Sequence, residues 1–126
     1  MAPTFHNDAF DAALDKIATC TRVDLCTTEP TNLTEATSTY TVANYTLTAG
    51  DGNGDWTVAD GDASGRKVTL AAQSGNNGTG TGSADFAAFS DGSTLLAVIA
   101  GSGETVNSGS PVTIAETDVW EIADPS

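Results

Sequence analysis

The first twenty residues show the hydrophobic spacing of an amphipathic helix. Apolar positions recur at i, i+3, i+4 and i+7, which lines one face of an α-helix. They are Phe10, Ala13, Leu14 and Ile17. Asn7 is a suitable N-cap, and β-branched residues, which are less favourable in helices, accumulate after residue 18. We therefore predict an N-terminal arm over residues 1–7 and a helix over residues 8–20.

The rest of the chain alternates short runs of apolar and β-branched residues with polar turns. Turn signals recur roughly every 8–12 residues, the spacing typical of a β-sandwich or barrel. Asp91-Gly92 between two apolar runs predicts a hairpin, and a change of phase between Val42 and Tyr45 predicts a bulge or bend. The polar segments 73–83 and 101–111 are interpreted as flexible loops.

These patterns predict a mainly β fold. We expect a single antiparallel β-sandwich or barrel-like domain with one N-terminal α-helix. The domain would span residues 1–126, with its β part over residues 23–122.

The amino-acid composition excludes some classes of function. The 126 residues include 17 acidic and 4 basic side chains, for a net charge of −13. Such a surface repels phosphate backbones and anionic lipids, so we expect neither nucleic-acid nor membrane binding. Low hydrophobicity with high charge is also typical of disordered chains, but the alternating runs and the low proline count of 4 favour a folded domain.

The sequence does not suggest an enzyme. His6 is the only histidine and lies in the predicted arm, and no Gly-x-Ser-x-Gly motif is present. The acidic residues of each pair, Asp60/Asp62 and Glu116/Asp118, could share one face of a strand, but a glycosidase also needs an acid of raised pKa held in a cleft that stacks sugars. With 6% aromatic residues, a sugar-stacking cleft would consume much of the core. We expect no catalytic residues.

One turn has the composition of a calcium loop. Asp51, Asn53 and Asp55 occupy positions 1, 3 and 5 of that pattern, but Trp56 stands where glycine is needed and Asp62 where glutamate is needed. An EF-hand is therefore excluded. A looser cation site that adds Asp60 stays open beside the simpler interpretation as a hairpin turn. No metal or cofactor is assigned.

The two cysteines, Cys20 and Cys26, have no accompanying ligand cluster, so zinc is excluded. Two buried thiols are favoured, and a disulfide between the helix end and the next strand is the alternative.

Five segments together resemble small structural proteins of tailed bacteriophages, of the head-decoration kind. Each segment is low in information alone, and their order and spacing along nearly the whole chain carry the resemblance. They are Asp24–Pro30, Glu35–Tyr40, Asp62–Val68, Asp91–Ala97 and Val119–Pro125.

The resemblance implies a non-enzymatic virion protein, and no catalytic residues come with it. The leading expectation is a capsid decoration (cement) protein that binds the assembled major capsid protein on the capsid exterior. We further expect a homo-oligomer, with a trimer matching the threefold sites of head lattices, made in the host cytoplasm without secretion. The alternatives are a phage tail, fibre or adaptor component, and a calcium- or carbohydrate-binding surface module.

Overall fold

A computed structural model describes residues 6–123. The fold is mainly β, with one N-terminal α-helix and antiparallel sheets, so the predicted fold class is confirmed. The helix α1 spans Asn7–Ile17, and a π-helix spans Glu35–Thr39. The strands are β1 Arg22–Cys26, β2 Thr41–Thr46, β3 Trp56–Asp60, β4 Arg66–Leu70, β5 Gln73–Asn77, β6 Gly82–Ser83, β7 Phe86–Ser90, β8 Leu95–Ala100, β9 Thr105–Val106, β10 Pro111–Ile114 and β11 Thr117–Ile122.

The helix α1 buries the predicted apolar face through Phe10, Leu14 and Ile17. Its bounds differ from the prediction of 8–20. His6 is the N-cap in place of Asn7, because the His6 Nδ1 accepts the Asp8 N–H at 3.1 Å. The helix ends at Ile17, and the next turn tightens as the Thr19 N–H donates to the Lys16 carbonyl at 3.2 Å. Residues 1–5 of the predicted arm lie outside the described residues.

The chain forms two compact units, neither of which is continuous in sequence. The first comprises the described residues up to Thr19, the segment Thr48–Ala72 and the described residues from Ala115. Its three-stranded sheet has the order β11-β4-β3, and α1 packs against β4 and β3. Arg66 on β4 donates to both Asp11 of the helix and Asp60 of β3 at 2.8 Å, which ties helix to sheet.

The second unit comprises Cys20–Leu47 and Gln73–Ile114. Its main sheet has the order β2-β1-β7-β8, and two-stranded sheets pair β10 with β5 and β6 with β9. The Tyr45 hydroxyl joins the main sheet to the β10-β5 sheet, because it donates to the Val112 carbonyl and accepts the Asn76 N–H at 3.1 Å. The β1–β2 register skips Val42, so the predicted bulge is confirmed.

The segments interpreted as loops contain strands, and that part of the prediction is wrong. Segment 73–83 includes β5 and β6, while segment 101–111 includes β9 and the first residue of β10. The residues of β5 are Gln, Ser, Gly and Asn, mostly exposed, and pair with β10 through the backbone. Strands of this kind carry no hydrophobic alternation, so their pattern is that of a loop.

The π-helix covers one face of the main sheet. Its buried Ala36 packs with Cys26 of β1 and Ala88 of β7, and Leu95 and Val98 of β8 pack against this group. These contacts hold the face of β8 that lies against the π-helix. The predicted hairpin is also present, since Asp91-Gly92 connects β7 to β8.

Candidate functional site

The turn with calcium-loop composition uses its oxygen atoms for backbone hydrogen bonds. The Asp51 Oδ1 accepts the Val58 N–H at 2.8 Å, and the Asp55 Oδ2 accepts the Thr48 N–H at 2.6 Å. Asn53 donates its side-chain amide to the Ala49 carbonyl at 3.0 Å. The structure therefore supports the hairpin-turn interpretation of these residues. It does not bring them together with Asp60, which pairs with Arg66, as a ligand set.

A second acidic group forms where β4 and β11 pair. Side-chain oxygens of Asp62, Asp118 and Glu121 lie within 4.8 Å of one another. Lys67 lies among them, with its Nζ 2.7 Å from Asp62 Oδ1 and 3.2 Å from Asp118 Oδ2. Hydrogen bonds from the Thr69 hydroxyl and then from Lys67 lower the pKa of Asp118. The lysine thus compensates part of the acidic charge, and the group is a partly exposed ion-pair network on the surface.

The acidic pairs noted for glycosidase chemistry are separated by their partners. Asp60 pairs with Arg66, whereas Asp62 pairs with Lys67. Asp118 also pairs with Lys67, while Glu116 is exposed. His6 caps the helix. Each side chain singled out for catalysis, apart from Glu116, has a structural partner in the described residues.

Sequence reasoning missed an ion pair with a buried carboxylate on β1, an inner strand of the main sheet. Arg22 donates Nε and a terminal N–H to the two carboxylate oxygens of Asp24, both at 2.8 Å, and the Asp24 side chain is only 1% exposed. The Thr41 hydroxyl donates to the same carboxylate at 2.9 Å. Arg22 also donates to the Thr37 carbonyl of the π-helix at 3.2 Å. The pair therefore connects the inner strand β1 to the outer strand β2 and to the helix that covers them.

Both cysteines are buried as predicted, and both carry thiols. The Cys26 thiol donates to the Ala36 carbonyl at 3.5 Å. Burial raises the pKa of Cys26 to about 12, so the thiol stays protonated at neutral pH.

The outer edges of the sheets differ in how they are protected. An unpaired strand edge can add strands from other chains, and proteins usually block such edges with covering segments or charges. At β2, the Thr79 and Gly80 amides both donate to the Val42 carbonyl, at 2.7 and 3.1 Å. At β3, the Gly52 amide donates to the Trp56 carbonyl at 2.9 Å. Both edges are therefore covered by neighbouring chain.

The outer edge of β11 is protected in another way. It carries the charged side chains of Asp118 and Glu121. It also carries Trp120. With 45% of its surface exposed, Trp120 is the most exposed large apolar residue among residues 6–123. Charged side chains on an edge strand discourage the addition of a further strand.

The outer edge of β8 has neither form of protection. Its sequence, Leu-Leu-Ala-Val-Ile-Ala, is apolar throughout, and within the described part of the chain it pairs only with β7. Five of its six residues are partly exposed, and Ala100 is fully exposed. We call this edge, Leu95–Ala100, the open edge.

The open edge is the candidate functional site. Six consecutive uncharged residues with strand-forming tendency are the composition that pairs readily with other chains. Proteins rarely leave such an edge uncovered unless something binds it.

Searches against protein-family models, curated proteins and solved structures gave no match to this chain. Among the described residues, no helix is long and apolar enough to cross a membrane.

Removal of the buried carboxylate tests the structural role of the ion pair. We expect Asp24→Ala to lower the free energy of unfolding by about 2 kcal/mol, because the half-buried Arg22 guanidinium and the Thr41 hydroxyl both lose their acceptor. Urea unfolding followed by tryptophan fluorescence measures the change. Asp118→Ala is the matched control on the exposed network and should cost no more than about 1 kcal/mol. Equal losses for both variants would contradict a special role for Asp24.

The buried thiol gives a pH-dependent prediction. Folding raises the pKa of Cys26 above its usual value of 9.0 to about 12. The folded state therefore retains this proton, and its contribution to stability is complete below pH 9 and declines as pH rises toward 12. At about pH 8 we expect both cysteines to resist a thiol-reactive disulfide reagent in the native protein and to react in concentrated guanidinium chloride. Rapid reaction of either thiol in the native protein would refute this.

Proposed function

We propose that this protein is a non-enzymatic virion structural protein of a tailed bacteriophage. More specifically, the protein is a capsid decoration protein that binds the assembled major capsid protein and stabilises the head. The observation that supports a binding role is the open edge, an apolar strand that no other segment of residues 6–123 covers on its outer side and that carries no charge, in a molecule of net charge −13. The head-decoration form of the proposal comes from the resemblance of the five segments described above.

The described residues suit a role in which surface contact is sufficient. Several of their ionisable side chains form pairs and caps that hold the fold together, as at Arg66 and Lys67. A protein that binds the assembled lattice and not the free subunits shifts the equilibrium toward the assembled particle, and it needs no reaction to do so. A homotrimer is retained as part of the proposal because head lattices offer threefold positions.

The strong negative charge also bears on the partner. Two surfaces of like charge associate slowly, whereas complementary charge accelerates encounter and fixes orientation. We therefore expect the capsid surface that receives this protein to carry basic side chains.

Binding to capsids tests the proposal. Purified protein is mixed with expanded capsids of the encoding phage from which it has been removed, and with free capsid subunits. We expect it to co-sediment with the capsids, to remain in solution with the subunits, and to raise the temperature at which the capsids disrupt. At a free concentration of about 100 times Kd, each bound copy would stabilise the lattice by about 2.7 kcal/mol.

Copy number separates a head protein from a tail protein. Quantification of intact particles should give a number comparable to that of the major capsid protein. A handful of copies at one vertex would support the tail or adaptor alternative, and absence from both capsids and particles would refute a virion role.

A further inference from the structure

We propose that the open edge accepts one extended segment of a partner protein as an added antiparallel or parallel strand. The partner segment has an apolar centre and Lys or Arg residues at its flanks. Its identity as part of a capsid subunit rests on the proposed function, whereas its chemistry follows from the strand itself.

The backbone of β8 provides the first requirement. A strand in a sheet directs alternate N–H and C=O groups to each side, so an edge strand offers one free set to a partner. Pairing with β7 is in regular register from Ala97 to Ala100, and the register shift falls near Leu95. The register is unbroken over Ala97–Ala100, so a further strand can follow β8 along those four residues.

The side chains provide the second requirement. Leu95 and Val98 pack against the cluster under the π-helix, yet remain partly exposed. Ala97 and Ile99 stand opposite Phe89 and Ala87 in register, and they too are partly exposed. A partner strand with apolar side chains would complete the burial of both faces, which contributes about 25 cal/mol per Å² of apolar surface removed from water.

The charges at the two ends specify the partner further. Asp91 precedes the strand in the hairpin turn. At the other end, the Gly101 amide donates to the carbonyl of Asp85 at 2.8 Å, and Glu104 follows shortly after; both acidic residues are exposed. The segment Gln73–Ile114, which contains β8, has three acidic residues, Asp85, Asp91 and Glu104, and no Lys or Arg. An uncharged strand with acids at both ends complements a segment with basic flanks.

The same charges disfavour a second copy of this chain as the occupant. Antiparallel pairing of two copies through β8 would bring Asp91 of each copy toward the Asp85 and Glu104 end of the other. Like charges at close range are destabilising, and each copy carries a net charge of −13.

Synthetic peptides test the inference without any virus particle. The probe is a ten-residue peptide with an Ala-Val-Ala-Val-Ala-Val centre, apolar on both faces of a strand, and two lysines at each end. One control peptide replaces the lysines with glutamates, and another keeps the lysines but places proline at two central valines, which blocks strand pairing. Binding is measured on the full-length protein at low salt by NMR titration and by amide hydrogen exchange.

We expect the lysine-flanked peptide to bind and to slow exchange of alternate amides in Leu95–Ala100. The glutamate-flanked peptide should bind at least about tenfold more weakly, with the difference shrinking as salt is added. The proline peptide should not bind.

Two variants locate the site. Leu96→Lys places a charge on the open edge and should abolish binding, while Ala115→Lys adds the same charge at an exposed position outside β8 and should not. Should Leu96→Lys fail to fold, the triple variant Asp85→Asn, Asp91→Asn and Glu104→Gln serves instead. It keeps hydrogen-bond acceptors at all three positions and should remove the preference for lysine over glutamate flanks.

Three results would overturn the inference: equal binding of the lysine and glutamate peptides, protection of amides outside β8 only, or protection of β8 in the protein alone together with a doubled mass. The last would identify a second copy as the occupant. Peptide binding at β8 without capsid binding would refute the proposed function and leave this inference intact. Capsid binding without peptide binding would support the proposed function and refute this inference.

Discussion

Backbone hydrogen bonding at the edges of the sheets is the constraint on which this structure depends. Every strand edge exposes N–H and C=O groups that need a partner or water. The chain covers the edge of β2 with the segment around Thr79 and the edge of β3 with the turn at Gly52, and it places Asp118 and Glu121 on β11. Among the outer strands of the four- and three-stranded sheets, the apolar strand β8 is the one for which the described residues provide no such cover, and the proposed binding role follows from it.

The Arg22–Asp24 pair, with its buried carboxylate, helps to hold the sheet that carries the open edge in place. It lies on β1, which pairs with β2 and β7, and its hydrogen bond to the Thr37 carbonyl fixes the π-helix over the sheet. The cluster around Ala36 then supports β8 from one face. A strand that is positioned beforehand loses less conformational freedom when a partner binds, which increases affinity.

The sequence allowed prediction of features that local patterns encode. The helical face of Phe10 and Leu14, the bulge near Val42 and the β-rich class all follow from hydrophobic periodicity. The strands in segment 73–83 did not, because their residues are polar and their pairing is through the backbone. The burial of Asp24 could not be predicted for a similar reason. The sequence pattern of a strand is the same whether its acidic side chain faces water or pairs with an arginine inside the fold. Which edge stays uncovered depends on contacts between distant segments, so β8 was recognisable as a strand but not as a site.

A density map of the intact virus particle, at a resolution that traces β-strands, tests the central claim most directly. The account predicts that each copy of this protein has a fifth strand beside β8, contributed by a different protein and flanked by basic side chains near Asp91 and Glu104. A particle in which the protein is bound through other surfaces while the edge of β8 faces solvent would contradict it.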